Sequence, residues 1–126
     1  MKKLKGVDGK LDDAWSKLVK LIHGMSCEKC GKESYLNSHH IYSRSKRSVR
    51  WDTLNGACLC AGCHTLSSLF SAHKTPLEFT FWIIERRGDD WFEELTLVAN
   101  TPQKFMKFEK EEMLVVLLER IKCFDN

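Results

Sequence analysis

Several features are missing from this chain of 126 residues. No apolar run approaches the roughly 20 residues that a membrane-spanning helix needs, so no membrane span is expected. The lysines of "MKKLKGVDGKLDD" have no apolar segment behind them, so no signal peptide is expected and the expected location is cytoplasmic. There is no internal repeat, low-complexity tract or long linker, and the length suits a single domain over residues 1–126. Proline is scarce, with 2 residues, and both mark breaks, at Thr75-Pro76 and in "NTP". Six cysteines without a secretion signal point away from a disulfide framework.

What is present reads as globular, with 43% hydrophobic and 29% charged residues. The net charge of +3 is unevenly placed: residues 1–64 carry 12 Lys/Arg against 6 Asp/Glu, residues 65–126 carry 8 against 11. A basic first half suits an anionic partner, most simply nucleic acid, and equally an ordinary solvated surface.

Along the chain, "KLDDAWSKLVKLIH" predicts an amphipathic helix, with Leu11, Trp15, Leu18 and Ile22 at helical spacing and Gly24 at its end. His23 ends it in a solvent-facing or capping role. "YLNSHHIYS" and "TLNGACLC" read as short strands enclosing the basic loop "RSKRSVRWD", with Asn55-Gly56 as a turn signal. A helix is expected from Cys63 to about Phe70, interrupted at "SAHKTP". Further helices are expected over 77–87, with Leu77, Phe81 and Ile84 on one face, over "DDWFEELTLVA", and over "KFEKEEMLVVLLERIKCF". The segments are then an N-terminal helix (1–24), a small α/β site (25–75) and a helical extension (76–126). The fold class is α+β.

Two Cys-x-x-Cys pairs, Cys27/Cys30 and Cys60/Cys63, lie either side of a 29-residue stretch. Each tight turn supplies two thiolates, and together they make the tetrahedral set of a structural zinc site. A single pair would leave redox dithiols or unrelated buried cysteines open; two favour zinc. A closed four-cysteine shell staples a small fold and leaves no position for substrate. Cys58 and Cys123 are expected in the core.

His40 precedes Asn55 by 15 residues and Asn55 precedes His64 by 9. This order, carried by "HHI", "LNGACLC" and "CAGCH" with "CEKCG" and "RSVRWD", resembles the HNH endonuclease family over residues 20–90. The segment "HKTPLEFTFWIIERRGDDWFEEL" is similar to the stretch after the motif in phage-type HNH proteins. The resemblance implies a ββα-metal fold stapled by the zinc site, and a metal-dependent hydrolase that nicks or cuts duplex or branched DNA in a bacterial host cell. It implies His40 as general base, Asn55 as the residue orienting the His40 ring or its loop, and His39 and His64 as catalytic-metal ligands. Adjacent strand residues face opposite ways, which fits the division between His39 and His40; a local twist of the strand would exchange the two roles. One departure is Ser68, where many family members have a further ligand. His73 is the alternative ligand if the helix breaks after His64; otherwise it caps a helix or contacts phosphate. Histidine ligation suits Zn2+, Ni2+ or Mn2+, and the resemblance also permits Mg2+.

Arg44, Lys46, Arg47 and Arg50 on the basic loop are candidate DNA-phosphate contacts, which position a duplex without reading its sequence. Trp51 packs under the loop or touches a sugar. No recognition helix is visible, so little sequence specificity is expected. Leu114, Leu117, Leu118 and Ile121 read as core, and the same face would suit a homodimer. A non-catalytic, zinc-stapled nucleic-acid-binding module explains the cysteines and the basic loop equally well. It gives no reason for the spacing of His39, His40, Asn55 and His64.

Overall fold

The structure is a computed structural model that describes residues 5–125. Helix α1 spans Val7–Ile22, strand β1 Leu36–His40 and strand β2 Gly56–Cys60; helices α2, α3 and α4 span Pro76–Arg87, Asp89–Ala99 and Lys107–Lys122. This is an α+β fold, with one two-stranded antiparallel sheet among the described residues.

Leu11, Ala14, Trp15, Leu18 and Val19 form one buried stripe of α1. Its end is a Schellman arrangement: the Met25 N–H donates to the Lys20 carbonyl at 2.9 Å and the Gly24 N–H to that of Leu21 at 3.0 Å. The stripe meets the sheet on one side and α4 on the other, where Leu117 and Ile121 join the same core cluster. Fully burying a side chain of this size contributes about 1.5–3 kcal/mol, so α4 is bound to α1 by more than its own helix propensity. The face expected to serve a homodimer is therefore largely used within the chain. Leu117 and Ile121 are buried, while Leu118 stays 46% exposed.

In the sheet, His39 pairs with Ala57 and His40 with Gly56. The sheet is covered on both faces, which is why all five residues of β2 are buried. Cys58 packs toward α1, whereas Ala57 and Leu59 pack with Phe79 and Ile83 of α2. The Asn55-Gly56 turn signal falls where the 3-10 turn Thr53–Asn55 ends, and Gly56 opens β2 against α1. A β-carbon there would come within 2.5 Å of Val19 Cγ2 and 3.0 Å of Trp15 Cζ2. Only glycine lets the sheet approach the helix this closely.

Three further expectations are corrected. The helix after Cys63 is a single wide turn, Gly62–Leu66, closed by the Ser67 N–H on the Gly62 carbonyl at 2.9 Å. Helix α2 buries Phe79 and Ile83 and leaves Leu77 and Phe81 62% and 65% exposed. Its apolar residues lie on more than one side, so periodicity alone does not select the face that meets the sheet. Cys123 is exposed, because α4 turns its buried face through Leu117 and Ile121 instead. His23, by contrast, takes the expected C-cap of α1, with its ring turned inward: Nε2 lies 3.6 Å from Glu28 Oε1 and 3.3 Å from the Arg87 guanidinium.

No described helix is long and apolar enough to cross a membrane.

Candidate metal and hydrolytic centre

The cysteines come together because two backbone turns face each other across the end of the sheet. In the first, Gly31, in the left-handed region at φ 81°, donates its N–H to the Cys27 carbonyl at 2.9 Å. The second begins at the last residue of β2. Cys27, Cys30, Cys60 and Cys63 have all their sulfurs within 4.8 Å of one another, and Cys30 Sγ lies 3.6 Å from Cys60 Sγ. Sulfurs about 2.3 Å from a tetrahedral zinc are about 3.8 Å apart, so the set fits a structural metal ion. Burial opposes ionisation of Cys27, but the backbone N–H groups of Cys30, Cys60 and Lys29 outweigh it and bring the thiol down to about 7. Cys58, expected in the core, is fully buried there and its thiol is pushed up to about 11 by burial.

A clamp unseen in the sequence ties the first turn to α2. The Glu28 carboxylate is 2% exposed and accepts from Arg86 Nε at 3.1 Å and from Arg87 at 2.6 and 3.0 Å. Arg87 also donates to the Gly56 carbonyl at 2.8 Å, so one guanidinium joins the turn, β2 and the end of α2. Burial works against the Glu28 charge, yet the arginines hold its carboxyl below the usual range.

On the same face of the sheet, His39, His64 and His73 converge, with their ligand atoms all within 4.8 Å of one another. After the wide turn the chain loops out and comes back. The Ala72 N–H donates to the Cys63 carbonyl at 2.9 Å and the His73 N–H to the His64 carbonyl at 3.0 Å. This stem removes the half-turn mismatch that a straight helix would impose on His64 and His73, and their Nε2 atoms are 3.1 Å apart. Ser68 sits exposed on the loop between them, away from the stem. Phe79 supports His39 edge-on, with ring centroids 5.3 Å apart. Burial, reinforced by His64 and His73, pushes His39 down to about 3, and burial lowers His64 as well. Neutral imidazoles are the form that binds metal, so this donor set also fits a divalent transition ion.

His40 points to the other face. Its ring stacks on Trp15 at a centroid distance of 3.9 Å and 7° between planes. Its Nε2 is 2.9 Å from the Arg50 carbonyl. A carbonyl only accepts, so Nε2 carries the proton and the neutral ring keeps its lone pair on Nδ1. Burial lowers the His40 pKa, partly offset by that hydrogen bond. His40 still borders the cleft of about 490 Å3 that His39, His64, His73 and Arg44 line.

Asn55 is fully buried and holds the loop rather than the ring. Its Oδ1 accepts from the Tyr42 N–H at 2.7 Å, and its Nδ2 donates to the carbonyls of Tyr42 at 3.0 Å and Val49 at 3.2 Å. The carbonyl that fixes His40 comes directly after that of Val49, so Asn55 acts on the ring through the backbone.

The basic loop divides into two kinds of cation. Arg50 is removed from the candidate DNA contacts: it is 9% exposed and forms a two-point ion pair with Asp12, Nε to Oδ1 at 3.0 Å and NH2 to Oδ2 at 2.8 Å. The other Asp12 partner is Trp51, whose Nε1 donates to Oδ1 at 2.8 Å, so Trp51 packs under the loop. Burial raises the Asp12 pKa, but Arg50 and Trp51 outweigh it and hold the carboxyl low. Arg44 and Arg47 have side chains 63% and 52% exposed, with longer contacts of 3.5 Å to Asp12 and 3.3 Å to Asp8. Lys46 reaches Asn100 Oδ1 at 3.0 Å. Sequence reasoning missed Trp15 and Asp12, which shape this side. Helical spacing signals Trp15 as a core residue, and nothing in the local sequence signals the role of Asp12.

The fold and sites define an α+β protein with a four-cysteine cluster able to hold a structural metal ion and a separate three-histidine cluster beside a cleft. No family model matches the chain, and no curated protein or solved structure matches it.

Proposed function

We propose that the protein is a metal-dependent DNA endonuclease of the HNH type, hydrolysing phosphodiester bonds in duplex or branched DNA with low sequence specificity. The observation that carries this reading is the convergence of His39, His64 and His73 in one cleft that His40 also borders, from the opposite face of β1. Zinc at Cys27, Cys30, Cys60 and Cys63 would serve as a staple, with no coordination position for substrate.

His40 acts as the general base. With Nε2–H held by the Arg50 carbonyl, Nδ1 takes the proton from water as the water oxygen bonds to phosphorus and the bond to the 3′ oxygen breaks. Stacking on Trp15 restricts the ring to one orientation. Asn55 keeps the loop that carries the Arg50 carbonyl in place. His39, His64 and His73 would hold a divalent Zn2+, Ni2+, Mn2+ or Mg2+ ion, which would supply Lewis-acid stabilisation of charge on the phosphate and the leaving oxygen. Arg44, at the rim, contacts the substrate backbone.

The test is nicking of supercoiled plasmid with Mg2+, Mn2+, Ni2+, Zn2+ or EDTA, using wild type and His40→Ala. Metal-dependent nicking that His40→Ala loses while DNA binding survives is the expected result. Salt-sensitive DNA binding with no cleavage under any metal would replace this reading with the non-catalytic, zinc-stapled binding module. Equal cleavage by both proteins would remove His40 as the base.

A further inference from the structure

The C-terminal half of the chain is acidic overall, yet its linker between α3 and α4 carries Lys104 against the basic loop. Two adjoining depressions lie there, of about 400 and 360 Å3, and both are lined by Arg47 and Gln103. The first runs along Ser45–Ser48, directly after the Ser43–Arg44 segment that borders the histidine cleft. The second adds Lys104 and Lys110. The basic loop therefore runs from the cleft at Arg44, past Lys46, to the depressions that end at Lys104.

Its charge is strongly one-sided. Asp8 is the one carboxylate lining the two depressions, and it is shared by Arg47 at 3.3 Å and Lys110 at 2.9 Å. Lys46 bonds a neutral amide, and no carboxylate among the described residues pairs with Lys104. The linker is held at both ends: Phe105 packs on Trp51 at a centroid distance of 6.3 Å, and Asn100 Oδ1 accepts from Lys46 at 3.0 Å.

We propose that this path is the seat of the duplex arm flanking the scissile bond, with Lys104 contacting a backbone phosphate. The inference rests on the endonuclease reading and adds to it a second contact region, supplied by the C-terminal half. Such a contact neutralises a phosphate and releases a counterion, so it registers in the salt dependence of binding.

The experiment is fluorescence anisotropy with a labelled duplex DNA across a salt series, in the His40→Ala background so that the probe is not cut. Lys104→Glu is compared with Lys122→Glu, the same charge change at the other end of α4, roughly 22 Å along the helix from Lys107. Circular dichroism confirms that both fold. Lys104→Glu is expected to weaken binding about tenfold and to lower the salt slope by about 1, with Lys122→Glu within about twofold of the parent. Equal effects of the two substitutions, or parental binding by Lys104→Glu, would overturn the path while leaving the endonuclease reading intact. Absence of DNA binding by the wild-type protein would overturn both.

Discussion

The two faces of the β1–β2 sheet carry different chemistry although their key residues, His39 and His40, are neighbours in the chain. On the α2 face, donors gather: four sulfurs and three imidazoles, each set within 4.8 Å. On the α1 face a single ring is fixed, between Trp15 and the Arg50 carbonyl, with no second donor set beside it among the described residues. One face collects lone pairs and the other orients one. The strand's two-residue period makes the division, since it sends successive side chains to opposite sides. Within the α2 face there is a second contrast. The cysteines form a four-donor set that can close a tetrahedral shell, whereas three histidines beside an open cleft leave a fourth position free.

The largest effect is expected from breaking the cysteine set. Structural zinc contributes about 10–16 kcal/mol in small zinc peptides, on the order of a whole domain's stability. Cys60→Ser should therefore lose both bound zinc and the folded circular-dichroism spectrum, measured together with metal content. The histidine clusters come next and should separate cleanly. His40→Ala should lower plasmid nicking by about 100-fold or more with metal content unchanged. His64→Ala should also abolish nicking, but with one equivalent less of bound metal, while the zinc remains.

Gly56→Ala tests how closely the α1 face approaches the sheet. Its β-carbon would overlap Val19, and a loss of about 2–3 kcal/mol is expected from urea unfolding. Asp12→Asn should cost less, about 1–2 kcal/mol, by weakening the Arg50 and Trp51 hydrogen bonds. Because the folded Asp12 pKa lies below its ordinary value, this contribution is complete above about pH 4 and is lost only as pH falls through the folded value. The gap between wild type and Asp12→Asn should therefore stay constant between about pH 6 and 8, which unfolding at several pH values checks.

Much of the fold is legible in the chain. The helices, the two strands and the cysteine pairs emerge from periodicity and spacing, because each depends on neighbours in sequence. The convergence of His73 is readable only as a condition, a break after His64, and the returning stem meets it. Sequence leaves Asn55 between ring and loop, and its three hydrogen bonds select the loop. Arg50 misleads because composition registers a positive charge without its partner; Asp12 lies 38 residues away in sequence. The buried face of α2 misleads because Leu77, Phe81 and Ile84 are as apolar as Phe79 and Ile83.

The sequence by itself determined which donors exist, which turns can hold two thiols and roughly where the four long helices lie, since these depend on side-chain type and on backbone preferences over a few residues. Tertiary structure alone decided that His73 joins His39 and His64. It chose which arginine is held by a carboxylate, set the distance between sheet and helix at Gly56 and brought Lys104 from an acidic half beside a basic loop. Those outcomes depend on contacts between residues distant in sequence. The physical reason is that burial and Coulomb interactions act through space, and a pattern of spacing does not record distance in space.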